Sequence, residues 1–174
     1  MARVSFTQLN NLSDTISAEA FELIIPNIPL GGSTQELTLR CQQAQVPGYS
    51  NEAFESLLHG HVLKFRGRKM YPRQLSVTYI EGSFLESWTI LNNWHEFIAG
   101  TDSGNSGAYK NTYSTTASLV IYNTTGAVAN TLRMENFFIQ EISDVTLDGS
   151  NSTPMLIPAM FSYDRLIANN TPVR

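Results

Sequence analysis

Alternation of apolar and polar side chains is the feature that most constrains the fold of this 174-residue chain. From Leu37 to Gln42 every second residue is apolar, and Pro47-Gly48 follows shortly afterwards. Successive side chains of a β-strand point to opposite faces, whereas a helix repeats every 3.6 residues, so this pattern predicts a strand. Proline lacks a backbone donor and glycine tolerates positive φ. The Pro-Gly pair therefore predicts the end of that strand and a loop over residues 49–61.

The same alternation recurs along the chain. Val62–Arg66 and Leu75–Tyr79 alternate cleanly. Weaker strand patterns occur at residues 21–25, 118–122, 131–139, 142–147 and 155–163. Pro158 lies inside the last of these, which predicts an edge strand or a bulge, because proline cannot donate to a ladder. The predicted fold class is mainly β, an antiparallel β-sandwich or barrel.

One flanking α-helix is predicted at residues 84–99. Ser83 and Glu86 have the spacing of a capping box, and Gly100 supplies a left-handed stop. Apolar residues recur every three or four positions, as a helix packed on a sheet requires. This face consists of Leu85, Trp88, Leu91, Trp94 and Ile98. If the Trp88 ring is fully buried, Trp88→Ala should cost about 3–5 kcal/mol.

The composition is that of a globular chain long enough to bury a core, with 42% hydrophobic and 15% charged residues. The net charge of −4 argues against a dedicated nucleic-acid binder, which needs cations to neutralise phosphates. No segment approaches the ~20 apolar residues of a membrane helix, and the N-terminus lacks an apolar signal. We therefore expect a soluble protein made in a cytoplasm. The single cysteine, Cys41, excludes an internal disulfide and is expected to be a small core residue.

No catalytic constellation is visible. His59-Gly60-His61 could place two imidazoles near a metal, but no carboxylate or thiol has ligand spacing nearby, and His95 lies on the helix. The carboxylates are scattered singly apart from Glu141, Asp144 and Asp148, so no acid–base pair is indicated. The common nucleophile, phosphate-loop and zinc motifs are absent. The sequence predicts no enzyme, no metal and no cofactor.

Residues 61–73 carry five cations and no carboxylate, in a chain that is acidic overall. Two interpretations stay open: a solvated basic turn, or a basic edge that meets an acidic edge of another copy. Several strands also have polar, uncharged outer faces, which suit subunit contacts or a water-filled channel. A β-fold with alternating apolar and polar faces and without catalytic residues points to a protein that assembles with other subunits.

The order of these motifs resembles the tail tube proteins of contractile-tailed bacteriophages, whose relatives form the inner tubes of R-type pyocins and type VI secretion systems. An early strand, Phe21–Ile25, is followed by Leu37–Gly48, and Leu75–Tyr79 then leads into a tryptophan-containing helix. The later matches are Tyr109–Tyr113, Ala117–Tyr122 with Gly126, Glu135–Ser143, Leu147-Asp148 and Phe161–Asp164. Phe138 departs from the pattern, where the family often has a proline.

The resemblance implies a β-sandwich or barrel protomer that forms hexameric rings, which stack into a hollow tube. Genomic DNA and a tape measure protein would occupy the lumen, a tail sheath protein would surround the tube, and a baseplate and a tail terminator would close its ends. The protein would reside in the virion after assembly in the host cytoplasm. In the family the lumen tends to be acidic, which repels phosphates. Two alternatives are a type VI-like tube or effector-carrier ring and a monomeric glycan-binding β-sandwich.

A single tail-tube domain is expected, with an N-terminal arm at 1–18, a β-barrel core at 19–165 and a C-terminal tail at 166–174. The arm and the loops 49–61 and 101–116 are predicted to carry contacts between subunits or rings. The interface candidates are Arg40, Pro47, Gly48, Tyr49, Phe54, Lys64, Arg66, Arg68, Lys69 and Arg73. The lumen candidates are Glu135, Glu141 and Asp148.

Overall fold

The computed structural model describes residues 15–29, 31–100, 108–148, 150 and 152–169. The predicted contacts of residues 1–14 and 101–107 lie outside this part. The elements in chain order are β1 (Phe21–Ile24), α1 (Thr34–Arg40), β2 (Cys41–Ala44), β3 (Ser50–Leu58), β4 (His61–Met70), β5 (Gln74–Ile80), α2 (Glu86–Ala99), α3 (Lys110–Tyr113), β6 (Thr115–Tyr122), β7 (Val128–Ile142), β8 (Leu156–Ser162) and β9 (Arg165–Asn169).

Seven strands form a partly open antiparallel barrel in the order β1-β6-β7-β8-β5-β2, with β9 also paired to β7. Strand β7 belongs to two sheets, because its first part pairs with β6 and β9 and its last part with β8. We call β1-β6-β7-β9 the first sheet and β7-β8-β5-β2 the second sheet. The change of partner falls near Asn136, whose φ of 54° is left-handed. The predicted mainly β fold with a flanking helix is confirmed.

The core lies between the two sheets and is closed by α2. The predicted alternation holds in β5, where Leu75, Val77 and Tyr79 are buried. Aromatic side chains fill the centre: the rings of Phe137 and Phe161 stack at 4.6 Å between centroids. Trp94 of α2 packs against both rings and donates its indole N–H to the backbone oxygen of Tyr113 at 2.9 Å. The prediction that one face of α2 is buried is therefore only partly correct, because Trp88 is 39% exposed.

The start of α2 differs from the predicted capping box. Leu85 precedes the helix with a left-handed φ of 58°, and the Ser83 side chain does not cap the helix. The Glu81 carboxylate accepts instead from the backbone N–H groups of Ser87 at 3.1 Å and Trp88 at 2.8 Å. A carboxylate at this position satisfies otherwise free amides and suits the positive end of the helix. The predicted stop at Gly100 is confirmed, with φ of 65°.

The predicted strand at Leu37–Gln42 is wrong, because residues 34–40 form helix α1 and only Cys41–Ala44 is extended. Ser33 caps the helix by accepting from the backbone N–H of Glu36 at 3.3 Å. Leu37 is buried, whereas Leu39 is 73% exposed, so the apolar alternation did not mark one face. A short run with three apolar residues fits a single helical turn as well as a strand, and the cap decides between them.

Four other boundaries also differ. The predicted loop 49–61 is mostly strand β3, and the predicted strand 142–147 is not formed beyond Ile142, where β7 ends. Residues 166–169 were predicted to be part of a tail but belong to β9. Residues 110–113, within the predicted loop 101–116, form α3. Strand β8 is central and not an edge strand. Strand β8 tolerates Pro158 because the pairing of β7 with β8 ends at Ala159. The backbone N–H that proline lacks would therefore lie where the β7–β8 ladder has already ended.

Candidate assembly surface

Strands β3 and β4 form a hairpin, residues 50–70, that pairs with no other strand. Its turn is His59-Gly60, with φ of 48° and 81°. Positive φ at both central residues is what a tight two-residue turn between twisted strands requires, and glycine adopts it without strain. The imidazoles that sequence reasoning considered as metal ligands therefore lie at and beside a hairpin turn. A glycine between two apolar runs was the available signal for this hairpin.

The hairpin extends well beyond the barrel. Strand β4 has ten residues, which at about 3.3 Å per residue reach about 30 Å. None of its side chains is buried, and Phe54, Leu57 and Phe65 are 57%, 71% and 41% exposed. Five of the interface candidates lie on this hairpin: Phe54, Lys64, Arg66, Arg68 and Lys69. An isolated two-stranded ribbon is marginally stable in water at best, so this segment lacks the packing that stabilises the barrel.

The two faces of the hairpin differ in chemistry, since paired residues share a face. One face carries Phe54 opposite Phe65, whose rings stack at 5.5 Å, and Ser56 opposite Leu63. The other face carries Ala53 opposite Arg66 and Glu55 opposite Lys64, with Leu57 opposite Val62 near the tip. One face of the hairpin is thus mainly apolar, with Glu52 near its base on the same side as Phe54, and the other face is charged with an apolar tip.

The charge of the hairpin is positive, with the four cations Lys64, Arg66, Arg68 and Lys69 against Glu52 and Glu55. Lys64 lies 3.1 Å from Glu55, and Arg68 lies 3.8 Å from Glu52. Lys69 sits 3.9 Å above the ring of Tyr49. Within the described residues, Arg66 and Lys69 have no carboxylate partner. Both are therefore available to a carboxylate of another molecule.

The base of the hairpin is anchored to the barrel core. Pro47 is buried, whereas Gly48 and Tyr49 are exposed beside an apolar depression of about 430 Å³. The Tyr71 ring stacks on Tyr163 at 6.4 Å, and its hydroxyl donates to the backbone oxygen of Asp164 at 3.3 Å. These contacts fix the direction in which the hairpin leaves the barrel.

Arg73 lies at the same base, where its guanidinium stands 5.5 Å from the Tyr71 ring centroid. Asp164 beside it is held by Lys110 at 2.6 Å and by Asn136 at 2.7 Å. The hydrogen bonds from Lys110 and Asn136 lower the pKa of the Asp164 carboxyl.

The structure gives Arg40 partners within its own chain. Its guanidinium lies 2.8 Å from the Glu36 carboxylate and 3.4 Å from that of Glu86. Gly82 passes so close that a Cβ there would stand 2.5 Å from the guanidinium nitrogens. The hydrogen bond with Glu36 raises the pKa of Arg40. Arg40 therefore joins α1 to the start of α2.

A groove of about 470 Å³ runs between α2 and the end of β7. Trp88 forms part of its wall, and three exposed carboxylates line it: Glu96 from the helix, and Glu141 and Asp144 from β7 and the segment after it. Among the described carboxylates, only Glu19, Glu96, Glu141 and Asp144 have neither a hydrogen bond nor an ion pair. Three of these four share this groove, which we call the α2–β7 groove.

The three lumen candidates lie apart. Glu135 faces Arg165 of β9 at 3.8 Å on the first sheet. Glu141 lies at a β7 bulge, in register with Met160 on the outer side of the second sheet. Asp148 lies in the loop after β7, where the hydroxyl and amide of Ser150 donate to it and lower its pKa.

The outer face of the second sheet is uncharged along its two central strands, mainly polar on β5 and mainly apolar on β8. On β5 it presents Gln74, Ser76, Thr78 and Ile80, and on β8 Leu156, Pro158, Met160 and Ser162. The Gln74 amide donates to that of Gln140 on β7 at 3.2 Å. Within the described residues of these strands, Glu141 at the β7 margin is the one charge in register with this face.

The Cys41 thiol lies in a partly buried position on β2. Burial raises the pKa of the Cys41 thiol to about 12, so it is a poor nucleophile near neutrality. The described part of the chain holds no cluster of three or more histidine, cysteine or acidic side chains that could bind a metal ion. None of the helices in the ranges described is long and apolar enough to span a membrane.

A closed core that carries an exposed apolar and basic hairpin defines a structural subunit that associates with other molecules. The sequence profile described as phage tail tube protein matches residues 3–169, and the chain belongs to that family. The family was recognised from motif order, which the profile confirms. No curated protein sequence is significantly similar to the chain.

Solved structures from contractile injection systems share the fold. A chain of the anti-feeding prophage tube-terminating cap matches with a TM-score of 0.64 and 11% identity, over 92% of this chain and 94% of that chain. A chain of the PVC sheath/tube terminator, from an extracellular contractile injection system, matches with a TM-score of 0.63 and 12% identity, over 91% and 99%. A chain of the PVC sheath-tube complex gives 0.61 and 11%, over 97% and 100%.

Proposed function

We propose that this protein is the inner-tube subunit of a contractile phage tail, in which hexameric rings stack into a conduit for DNA during ejection. The observation that carries the proposal is the hairpin 50–70, which exposes aromatic and aliphatic side chains that its own barrel does not cover. Contiguous exposed apolar surface of this kind marks an interaction site. Membership of the tail tube family makes another copy of the same chain the expected partner.

The free edges of the barrel support ring formation. Strands β1 and β2 each pair on one side only, and they face each other across an apolar cleft of about 210 Å³ lined by Phe21, Ala44 and Val46. Unpaired strand edges are templates for pairing with another chain. Ring closure through these edges would remove them from solvent and join the sheets of neighbouring copies.

The uncharged outer face of β5 and β8 is the best candidate for the channel wall. Hydroxyl and amide groups such as Ser76 and Gln74 remain hydrated but offer no cation to bind a phosphate. Glu141 at the margin of this face would add repulsion, which makes it the preferred lumen candidate over Glu135, which is paired with Arg165. DNA would then slide along the wall without ion pairs.

The fold relatives suggest the remaining partners. Matching folds occur in structures of a sheath-tube complex, a tube-terminating cap and a baseplate. By analogy, this subunit would contact a tail sheath protein outside, a tape measure protein inside, and a baseplate and a tail terminator at the ends. No catalytic role is part of the proposal.

Electron microscopy of the purified protein, with a baseplate or initiator complex added where needed, tests this function. We expect hollow tubes from the unmodified protein and none from Phe54→Ser/Phe65→Ser. Phe84→Ser is the matched control, because Phe84 is also exposed (85%) but lies outside the hairpin. A protein that stays monomeric under all these conditions, or that binds glycans as a monomer, would contradict the proposal.

A further inference from the structure

We propose that Asp164 is a positioning residue for the hairpin 50–70. Its carboxylate ties the turn between β8 and β9 to α3 and to the bend in β7, and that turn carries the base of the hairpin. The inference rests on the proposed function, in which the hairpin makes subunit contacts. It names a residue outside the hairpin that sets the direction of the hairpin within the single subunit.

The base of the hairpin is bound to the β8–β9 turn, Tyr163-Asp164. The backbone N–H of Tyr163 donates to the backbone oxygen of Arg73 at 3.0 Å, and the Ser162 hydroxyl donates to the same oxygen at 3.3 Å. The Tyr71 ring stacks on Tyr163, and its hydroxyl donates to the backbone oxygen of Asp164. The segment with Tyr71 and Arg73 joins β4 to β5. The side of the hairpin that continues into β5 is therefore fixed to this turn.

The Asp164 carboxylate connects the same turn to two other elements. Lys110, the first residue of α3, donates to it at 2.6 Å, and the Asn136 amide of β7 donates to the same oxygen, Oδ2, at 2.7 Å. The backbone N–H of Asp164 donates to the backbone oxygen of the residue before Asn136 at 3.0 Å. Helix α3 is itself packed on the barrel, because the Tyr113 ring meets the Phe138 ring edge-on at 5.3 Å. The carboxylate therefore links the base of the hairpin to the body of the barrel.

Two residues that contact this turn have a strained backbone. Among the described non-glycine residues, His59, Arg73, Leu85 and Asn136 have left-handed φ, and two of these four contact the turn. Their φ values are 58° for Arg73 and 54° for Asn136. Such conformations persist only where surrounding contacts hold them. Loss of the Asp164 carboxylate should therefore let the adjoining segments relax and change the direction of the hairpin.

The ion pair between Lys110 and Asp164 contributes little to the stability of the barrel. Their side chains are 48% and 42% exposed, so water and salt screen the attraction. A role in position therefore has a different signature from a role in stability. Removal of the carboxylate should change where the hairpin points and leave thermal unfolding of the barrel nearly unchanged.

Distances between two spin labels on the monomer, measured by double electron–electron resonance, test this role. One label is attached at Ala53→Cys near the base of the hairpin and the other at Asn93→Cys on α2, both exposed, in a Cys41→Ala background. We expect a narrow distance distribution for this labelled protein and a wider one after Asp164→Ala or Lys110→Met. Lys110→Arg keeps the cation and should keep the narrow distribution.

Asp148→Ala is the matched control. Its carboxylate also accepts two hydrogen bonds, but both donors belong to Ser150, two residues away. The distance distribution should stay narrow in this variant. Combining Lys110→Met with Asp164→Ala should widen the distribution no further than Asp164→Ala alone, because two members of one interaction are not additive.

Tube assembly tests whether this direction serves the proposed function. If about a tenth of the molecules keep the competent direction in Asp164→Ala, the protein concentration for half-maximal assembly should rise about tenfold. Asp148→Ala should assemble normally. Sedimentation and electron microscopy measure assembly, and thermal unfolding is followed for each monomer.

The outcomes separate the two proposals. Unchanged distance distributions in Asp164→Ala and Lys110→Met would overturn the positioning role, and so would a large loss of thermal stability in both or wider distributions with unchanged assembly. Tubes of the unmodified protein would still uphold the proposed function in each of these cases. If the unmodified protein forms no tubes while the distributions behave as expected, the proposed function fails and Asp164 still sets the direction of the hairpin.

Discussion

The barrel and the hairpin 50–70 are built from the same alternating pattern, yet their apolar residues meet opposite fates. In the barrel, alternate residues such as Tyr79 and Phe161 are fully buried between two sheets and α2. In the hairpin, Phe54 and Phe65 stack on each other but remain exposed. Alternation therefore identifies a face that requires cover, and it does not say whether the same chain or another provides the cover.

The largest expected effect is the loss of Trp94 from the barrel. Trp94→Ala should lower the free energy of unfolding by about 3–5 kcal/mol, because the ring is fully buried against Phe137 and Phe161. Trp88→Ala, in the same helix, should cost about 1–2 kcal/mol, since its ring is partly solvated. Denaturant unfolding of the two variants measures both values, and equal losses would contradict the described orientation of α2.

The single cysteine provides a second contrast between barrel and hairpin. The pKa of Cys41 is about 12 in the folded protein, above the ordinary value of 9.0, because burial disfavours the thiolate. Above pH 9 the unfolded chain loses this proton first, so this group should destabilise the fold as the pH rises toward 12. Unfolding followed at pH 8, 9 and 10 should show falling stability, and Cys41→Ala should reduce that fall.

Thiol labelling sharpens the same contrast at constant pH. At pH 8, Cys41 should react slowly with a thiol reagent, whereas a cysteine introduced by Ala53→Cys in the hairpin should react quickly. Fast labelling of Cys41 in the folded monomer would show that the barrel edge near β2 is open.

A smaller effect on monomer stability is expected for Phe65→Ala. Its ring covers no residue of the barrel, so the unfolding free energy of the monomer should change by less than about 0.5 kcal/mol. Tube assembly should nevertheless weaken, because the variant removes part of the apolar face. A large loss of monomer stability would mean that the hairpin packs on its own barrel.

The smallest effect is expected for Lys64→Ala. Lys64 and Glu55 form an ion pair at 3.1 Å, but their side chains are 72% and 57% exposed, so water and salt screen the attraction. Thermal unfolding of the monomer should show no measurable change. A clear shift would indicate that the charged face of the hairpin is more ordered than its exposure implies.

Much of the barrel was predictable from the chain, and the assembly surface only in part. The alternation in Leu75–Tyr79 and the helix around Trp94 were predicted correctly, because both patterns are long and regular. The basic run at 61–73 was recognised, but its partner strand β3 was assigned to a loop, since the glycine of the His59-Gly60 turn was not read as a hairpin signal. The α2–β7 groove was missed because its carboxylates come from two separate elements.

The family, the β class and the absence of a recognisable catalytic motif were determined by the sequence itself, through motif order and local periodicity. Tertiary structure decided what local patterns leave open: that residues 34–40 are helical, that Pro158 occupies a central strand, and that Glu81 caps α2 in place of Ser83. It also decided which alternating strands are covered. The physical reason is that burial and pairing depend on groups distant in the chain, whereas periodicity records only which face of each element is apolar.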